Sequence, residues 1–572
     1  MYFRDGDICL SVCFNDAYES TVICQKERCH AHIWAGLENS YVCAERMGKS
    51  EYSLGVVFEK GCFVSYTQED CKDNRRGYLS LNGERFHLQS GESKEISFVV
   101  FRHAGGEDFF EKAKSVPSFM RVLAPYYTVE KGNNIEFFVQ ANEAVKTCEC
   151  TVRQTPAPCK IEKNEVRICF LAKDYGEYEF VFSINGKRGK AVFNVVPSKE
   201  ELIKKRIDFI LKNQQCLEEN SPLYGAFLIY DNEEKCQYFD YKILDLNANR
   251  ERMGMSLMLV KWLQTHQNEE VRARLDLFTE FLLRECVNEE KGTCYGNIGK
   301  DESYLRLYNA PWVMLFFTEL YNLTGEKRWI ELVVRIIRYY YGVGGAKFYP
   351  NGLRFYTMFQ AVEKAGMQEE LKEIYSLFNE HVQTIVRNGV NYPPHEVNFE
   401  QTIVSPCVTI LMDKYLISGD AFYLKEAEKH LEILKKFDGM QPHYRLNTIP
   451  IRFWDDFFFG KMGIFGDVFP HYWSVLSGYE YYLHGKATGN AESLHRAKTC
   501  MENCLCNIYP DGSATCAFVF PQWVGGKAHF LGKQTNWDPG FQKQRKGAFA
   551  DAFANDQDFG LYFLMKMDYD KE

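Results

Sequence analysis

The sequence predicts a multidomain α+β protein: an N-terminal β-sandwich (1–116), an immunoglobulin-like β-sandwich (117–197) and a C-terminal (α/α)6 toroid (198–572). Three observations carry this. The hydrophobic period is two up to Val196 and helical from Ser198 onward. Thr324-Gly325-Glu326, Ser418-Gly419-Asp420 and Thr488-Gly489-Asn490 recur at comparable places in the helical part. The helices on either side of each such turn alternate between one-sided amphipathic and apolar nearly all round, as the outer and inner layers of a ring must.

The first sandwich is read from short alternating segments such as Ile8 to Phe14 and Gly61 to Tyr66, with Asn82-Gly83 and Ser90-Gly91 as turns. A short polar helix around Glu107 to Lys114 and Pro117 close it. In the second sandwich, Ile135 to Val139 and Glu177 to Phe182 alternate cleanly, and Asn185-Gly186 marks a two-residue hairpin. In the helical part, Trp329, Leu332, Ile336 and Tyr340 line one face, as do Leu424, Ala427, Leu431 and Leu434, which marks outer helices. Ala310 to Tyr321 and Phe469 to Tyr482 are apolar on all sides and predict inner helices. Tyr349-Pro350-Asn351-Gly352 and Tyr509-Pro510-Asp511-Gly512 turn the chain back after an outer helix. Six hairpins of roughly 60 residues fill this region.

Composition narrows the functional classes. The 572 residues carry 68 basic and 77 acidic side chains, a net charge of -9 that gives no footprint for nucleic acid. Apolar runs fall short of the ~20 residues of a membrane span. Met1 to Asp7 run into strand-like sequence with no basic stretch or apolar core of a leader, so a cytoplasmic protein is expected. The 20 cysteines are scattered, which fits reduced buried thiols; Cys500, Cys504 and Cys506 lack metal-ligand spacing, and neither a metal nor a cofactor is required. Aromatic residues reach 15%, suited to wide helical cores and to sugar-stacking surfaces alike. An oligomer is compatible with the sequence.

Four segments, Asn249 to Met255, Pro394 to Gln401, Gly466 to Ser474 and Phe553 to Asp558, resemble the six-hairpin glycosidase superfamily, and within it most closely the β-glucuronidases of glycoside hydrolase family 154. The resemblance covers mainly residues 200–572. It implies a hydrolase that releases a terminal uronic acid, with β-glucuronic acid foremost, from an oligosaccharide by an inverting, two-carboxyl mechanism. In such a ring the inner helices begin at one rim, so polar residues at their starts converge. Glu396, Asp456 and Asp467 are the catalytic candidates, because one carboxyl must protonate the leaving oxygen while another activates water. Acids at helix starts also serve as ordinary caps.

Arg250 and Arg252 around Glu251 offer guanidinium forks for a uronate carboxylate, unless they form an internal salt bridge. Tyr304, Glu400, Trp454, His471, Tyr472, Trp473, Asn555 and Asp556 complete the substrate-binding set, with Arg306, Arg354, His395, His443, Asp455 and Asp551 also expected near the rim. The separation of Asp467 and His471 by four places them on one face of a predicted helix. Three readings stay open: the hydrolase; a polysaccharide lyase or unsaturated-uronyl hydrolase on the same ring, with His395, His471 or Tyr472 taking the C5 proton in the lyase; and a non-catalytic sugar-binding protein.

Overall fold

A computed structural model of the chain describes residues 2–4, 7–9, 11–15, 29–46, 52–69, 78–84, 86–240, 253–303, 306–393, 400–455, 461, 465–519, 523–524, 529–530, 533–534 and 549–569. It is a mixed α+β protein. In the N-terminal part, Cys29–Trp34, Tyr41–Arg46, Ser53–Lys60 and Ser97–His103 form one antiparallel sheet. The facing sheet runs Ser11–Asn15, Tyr78–Gly83, Phe63–Glu69 and then Trp523–Val524, a strand from far down the chain that pairs in parallel with Thr67 and Gln68. Ala31, Ile33, Val42, Ala44, Phe58, Phe63, Tyr66, Leu79 and Leu81 fill the space between the sheets.

Asn82-Gly83 is not a turn. Asn82 pairs with Ser11 on one side and Ser65 on the other, and two flanking ladders outweigh the local turn preference. The predicted polar helix is α1, Gly106–Ala113, and it has a second face: Phe109 and Phe110 are buried and pack on Tyr41. The next sandwich pairs Met120–Leu123, Asn134–Ala141, Glu165–Leu171 and Cys159–Glu162 in one sheet, and places Gly176–Ile184 and Lys187–Val196 at the heart of the other. Asn185 and Gly186 join those two strands with φ of 51° and 84°, the left-handed pair that a tight hairpin needs.

Twelve α-helices follow among the described residues. The amphipathic ones are α2 (Lys199–Phe209), α4 (Glu269–Phe281), α6 (Lys327–Gly342), α8 (Gln368–Asn388), α10 (Ala421–Lys435) and α12 (Ala491–Cys504). Between them run α3 (Met253–Leu263), α5 (Asn309–Thr324), α7 (Phe355–Lys364), α9 (Gln401–Ser418), α11 (Ser474–Thr488) and α13 (Phe559–Tyr569). Each of this second set packs on the next, and α13 packs back on α3, so the inner layer closes into a ring. All three recurrent tripeptides end a helix, and two of them also start the next; Glu326 makes no side-chain cap on α6. Gly325, Gly419 and Gly489 end α5, α9 and α11 in the left-handed conformation. Asp420 and Asn490 then cap the next helix by accepting from the amides of Phe422 and Ser493, both at 2.9 Å.

The far end of the ring is tied by charge. Glu319 of α5 lies 3.3 Å from Lys566 of α13 and 4.0 Å from Lys261 of α3, and accepts from Tyr562 at 2.7 Å. Between the parts, the amide of Val192 donates to Pro442 and that of Tyr444 to Val192. His32 bonds to the Lys436 carbonyl at 3.1 Å, and the ring of His30 meets Phe437. No described helix is long and apolar enough to cross a membrane. Every described cysteine is a free thiol, those at 500, 504 and 506 included.

Candidate active site

The inner helices run the same way round the ring, so their N-termini share one end and turn the positive ends of six helix dipoles toward it. Arg306 precedes α5, Arg354 precedes α7, Glu400 stands immediately before α9, His471 to Trp473 lead into α11, and Asp551 to Asp558 lead into α13. Close approach is built in at Gly254: a Cβ there would meet Phe559 and the Asp556 carbonyl at 3.1–3.3 Å, which locks the starts of α3 and α13 together.

Three connections make a site of this end. Arg306 is half-buried, and desolvation lowers its pKa to about 10 against the opposing influence of Tyr308 and Tyr472; the Tyr472 phenol is thus within electrostatic reach of the guanidinium. Arg452 forms a buried ion pair with Glu400 at 3.1 Å, and the same Glu400 oxygen accepts from the Thr402 hydroxyl at 2.6 Å. Burial first, and then the positive charge of Arg452, hold His471 well below the ordinary histidine range, so its ring is neutral. Its Nδ1 accepts from the Trp473 amide at 3.1 Å, which assigns the ring proton of neutral His471 to Nε2.

Residues 467–471 are not helical. Phe465–His471 is a strand, paired with Arg452–Asp455 on one side and Ala517–Val519 on the other, and α11 starts only at Ser474. Pro470 has no amide hydrogen for a helix, and the ladders on both sides favour the extended form. The expectation that Asp467 and His471 share a helix face is therefore wrong, as is the start of an inner helix at Phe469. A register shift between Val468 and His471 re-aims the end of the strand. Asp467 is buried. Its amide donates to Gln68 Oε1 at 2.8 Å, while Gln68 Nε2 donates to its Oδ1 at 3.4 Å.

The other expected residues divide clearly. Arg250, Glu251, Arg252, Tyr304, His395, Glu396 and Asp456 lie outside the described residues, and for Trp454 and Asp455 only the backbone is described, paired with Gly466 and Phe465. Trp473 is 3% exposed and packs on Trp312 and Phe559, so its indole sits in the core at the base of the site. Asn555 and Asp556 are buried in a turn ordered from below: Arg206 forms a two-pronged pair with Asp558 at 2.6 and 2.9 Å, and Gln557 bonds to both Asp558 and the Asn555 amide. Asp551 accepts from the amides of Phe553 and Lys461.

Two expected rim residues stand apart from this cluster. His443 lies beside Trp34 and pairs along Val192, at the junction with the sandwiches. Arg354 is tied to Asp413 at 3.1 Å and lines a cavity with Glu480, whose carboxyl burial pushes up to about 8 against bonds from Ser405 and Thr409. Arg452 and Gln68 were not singled out by sequence. Arg452 sits in Ile451 to Trp454, a run rich in β-branched and aromatic residues that suits a strand; for Gln68 there is no local signal. Among the described residues, no group of His, Cys, Asp and Glu is arranged to hold a metal ion.

No protein-family profile matches the chain, and no curated protein matches it in sequence. Among solved structures, a polysaccharide lyase, BACCELL_00875, is 30% identical with a TM-score of 0.90, over 99% of this chain and 86% of that one. A family 76 glycoside hydrolase from a bovine Bacteroides thetaiotaomicron strain is 11% identical with a TM-score of 0.41, over 79% of this chain and 99% of its own. An unsaturated glucuronyl hydrolase specific for heparin is 8% identical with a TM-score of 0.38, over 65% and 97%. At those scores nothing about the chemistry of this chain follows from the latter two.

Proposed function

The chain belongs to the family of the polysaccharide lyase BACCELL_00875 and is a carbohydrate-active enzyme, and we propose that it cleaves a uronic-acid-containing glycan by β-elimination. The observation that carries the reading within the site is the arrangement of Arg306, His471 and Tyr472. Elimination needs a cation or donor against the uronate carboxylate, to acidify the C5–H, and a group that takes that proton. Arg306 suits the first role: a guanidinium matches a carboxylate with two parallel hydrogen bonds. His471, neutral and protonated on Nε2, is a donor to the same carboxylate rather than a base.

Among the described residues, Tyr472 is the proton-transfer candidate beside Arg306; His395 lies outside them. Tyr472, buried beside Arg306, takes the C5 proton in its phenolate form. The C5–H electron pair forms the C4–C5 double bond, the C4–O bond breaks, and the leaving oxygen receives the proton that Tyr472 took, which restores the phenolate. The products are an unsaturated uronyl end and a free hydroxyl, with no water consumed. The division into residues 1–116, 117–197 and 198–572 belongs to the same reading, with the helical ring as the catalytic part. Free thiols at every described cysteine fit a reducing compartment, the cytoplasm read from the sequence.

The hydrolase reading, with β-glucuronidase foremost, has its own support in the carboxylates gathered at this end: Asp467, Glu400, Asp551 and Asp556 are all buried there. Glu396 and Asp456 remain its further candidates. One experiment separates the two. Purified protein is incubated with uronic-acid glycans and with aryl glucuronides, and products are followed by ultraviolet absorbance and mass. Elimination yields an absorbing, unsaturated end; hydrolysis yields a saturated sugar heavier by one water. A saturated product alone would overturn the lyase reading.

A further inference from the structure

We infer that Gln68 of the N-terminal sandwich is a positioning residue of the active site: it clamps Asp467 and so fixes the strand that delivers His471 and Tyr472. The inference rests on the proposed function for the roles of His471 and Tyr472, and on separate geometry for Gln68. Gln68 is fully buried. It reaches across to a residue 399 positions away and uses both ends of its amide there, accepting from the main-chain N–H of Asp467 and donating to its carboxylate. A primary amide is the side chain that offers donor and acceptor side by side, so the pair fixes both the height and the rotation of the strand at residue 467.

The backbone of Gln68 is held equally firmly. It pairs with Leu79 within the sandwich and with Val524 from the catalytic part, so the sheet of the sandwich continues into the helical region at this residue. The strand it clamps needs such an anchor. The ladder from Phe465–His471 to Ala517–Val519 shifts register between Val468 and His471, after the clamp and just before the two proposed functional side chains. Within an active site, misplacement by ~1 Å costs on the order of 10²-fold in rate. The sandwich is accordingly part of the catalytic unit, and not an appended module.

The test uses the full chain with Gln68→Ala and Gln68→Glu, assayed well below their melting temperatures on whichever glycan the wild type cleaves. Gln68→Ala is expected to lower kcat by ~10- to 100-fold with KM changed little. Gln68→Glu places a carboxyl against the Asp467 carboxylate. While one proton is shared, the pair reproduces both bonds; once that proton leaves, two like charges repel. The ratio of its kcat to that of wild type should therefore be near one at low pH and fall as pH rises, a pH signature that loss of packing alone does not produce. A kcat for Gln68→Ala within about twofold of wild type, or a Gln68→Glu ratio that is flat with pH, would overturn the inference. A wild-type chain that cleaves no uronic glycan would instead defeat the proposed function on which the inference rests.

Discussion

Removing the guanidinium of Arg306 gives the sharpest test of substrate class. Burial lowers its pKa from 12.5 to about 10, so its charged form is destabilised in the free protein by roughly 3 kcal/mol, at 1.36 kcal/mol per pK unit. A uronate carboxylate seated against Arg306 returns energy of that order, and a charge-assisted hydrogen bond is worth about 1.5–3 kcal/mol when its partner is lost. Arg306→Ala should therefore lower kcat/KM on the order of 10²-fold. The assay compares a uronic glycan with its methyl ester, which keeps the elimination chemistry and loses the negative charge, by the rise of the unsaturated product. The free acid should suffer most of the loss and the ester much less. Thermal unfolding gives the second arm: a melting temperature close to that of wild type separates a binding role from a structural one. Equal losses on acid and ester, with a lower melting temperature, would mean that Arg306 ties the rim together and does not bind the uronate.

Tyr472→Phe should abolish proton transfer and cut kcat by ~10²- to 10⁴-fold, with substrate binding retained in calorimetry. Arg452→Gln removes the positive charge that helps hold His471 neutral, so the His471 pKa should rise and an acid limb should move upward in the pH profile of kcat/KM; Arg452→Lys, which keeps the charge, should leave that limb where wild type has it. Glu319 is pushed up by burial, but Lys566, Lys261, Gln264 and Tyr562 outweigh this and bring it to about 2. Its folded pKa lies below the ordinary 4.5, so its stabilisation is present above that value and is lost as pH falls toward 2. Glu319→Gln should then cost about 3 kcal/mol in denaturant unfolding at neutral pH while leaving kcat intact below the melting point.

The helical ring is legible in the sequence because burial writes it there. A helix covered on all sides, such as α5, has no polar face to spend, and an outer helix such as α6 shows its single stripe of Trp329, Leu332, Ile336 and Tyr340. The tripeptides at 324, 418 and 488 are readable for the same local reason, since a left-handed glycine, followed at Asp420 and Asn490 by a side-chain cap, is chemistry within three residues. Turn signals fail where a ladder on each side overrides them, as at Asn82-Gly83.

The site was less legible because its geometry is set by partners distant in the chain. A spacing of four puts two side chains on one face of a helix, but it also puts them on one face of a strand, since four is a multiple of the strand period as well. The segment from Asp467 to His471 satisfied the pattern without being helical, and the register shift then broke even the strand's alternation. What decides between the alternatives is pairing with Arg452–Asp455 and Ala517–Val519, together with the hold of Gln68. Arg452 follows the same rule: its charge matters because the ladder sets it near His471, while Glu400, from the start of an inner helix, holds it in place. A helical ring brings its helix starts to one end by architecture. The electrostatics at that end are set by the strands and by the sandwich laid against it, so substitutions at Gln68 and Arg452 should tune the reaction while substitutions such as Glu319→Gln tune only the ring.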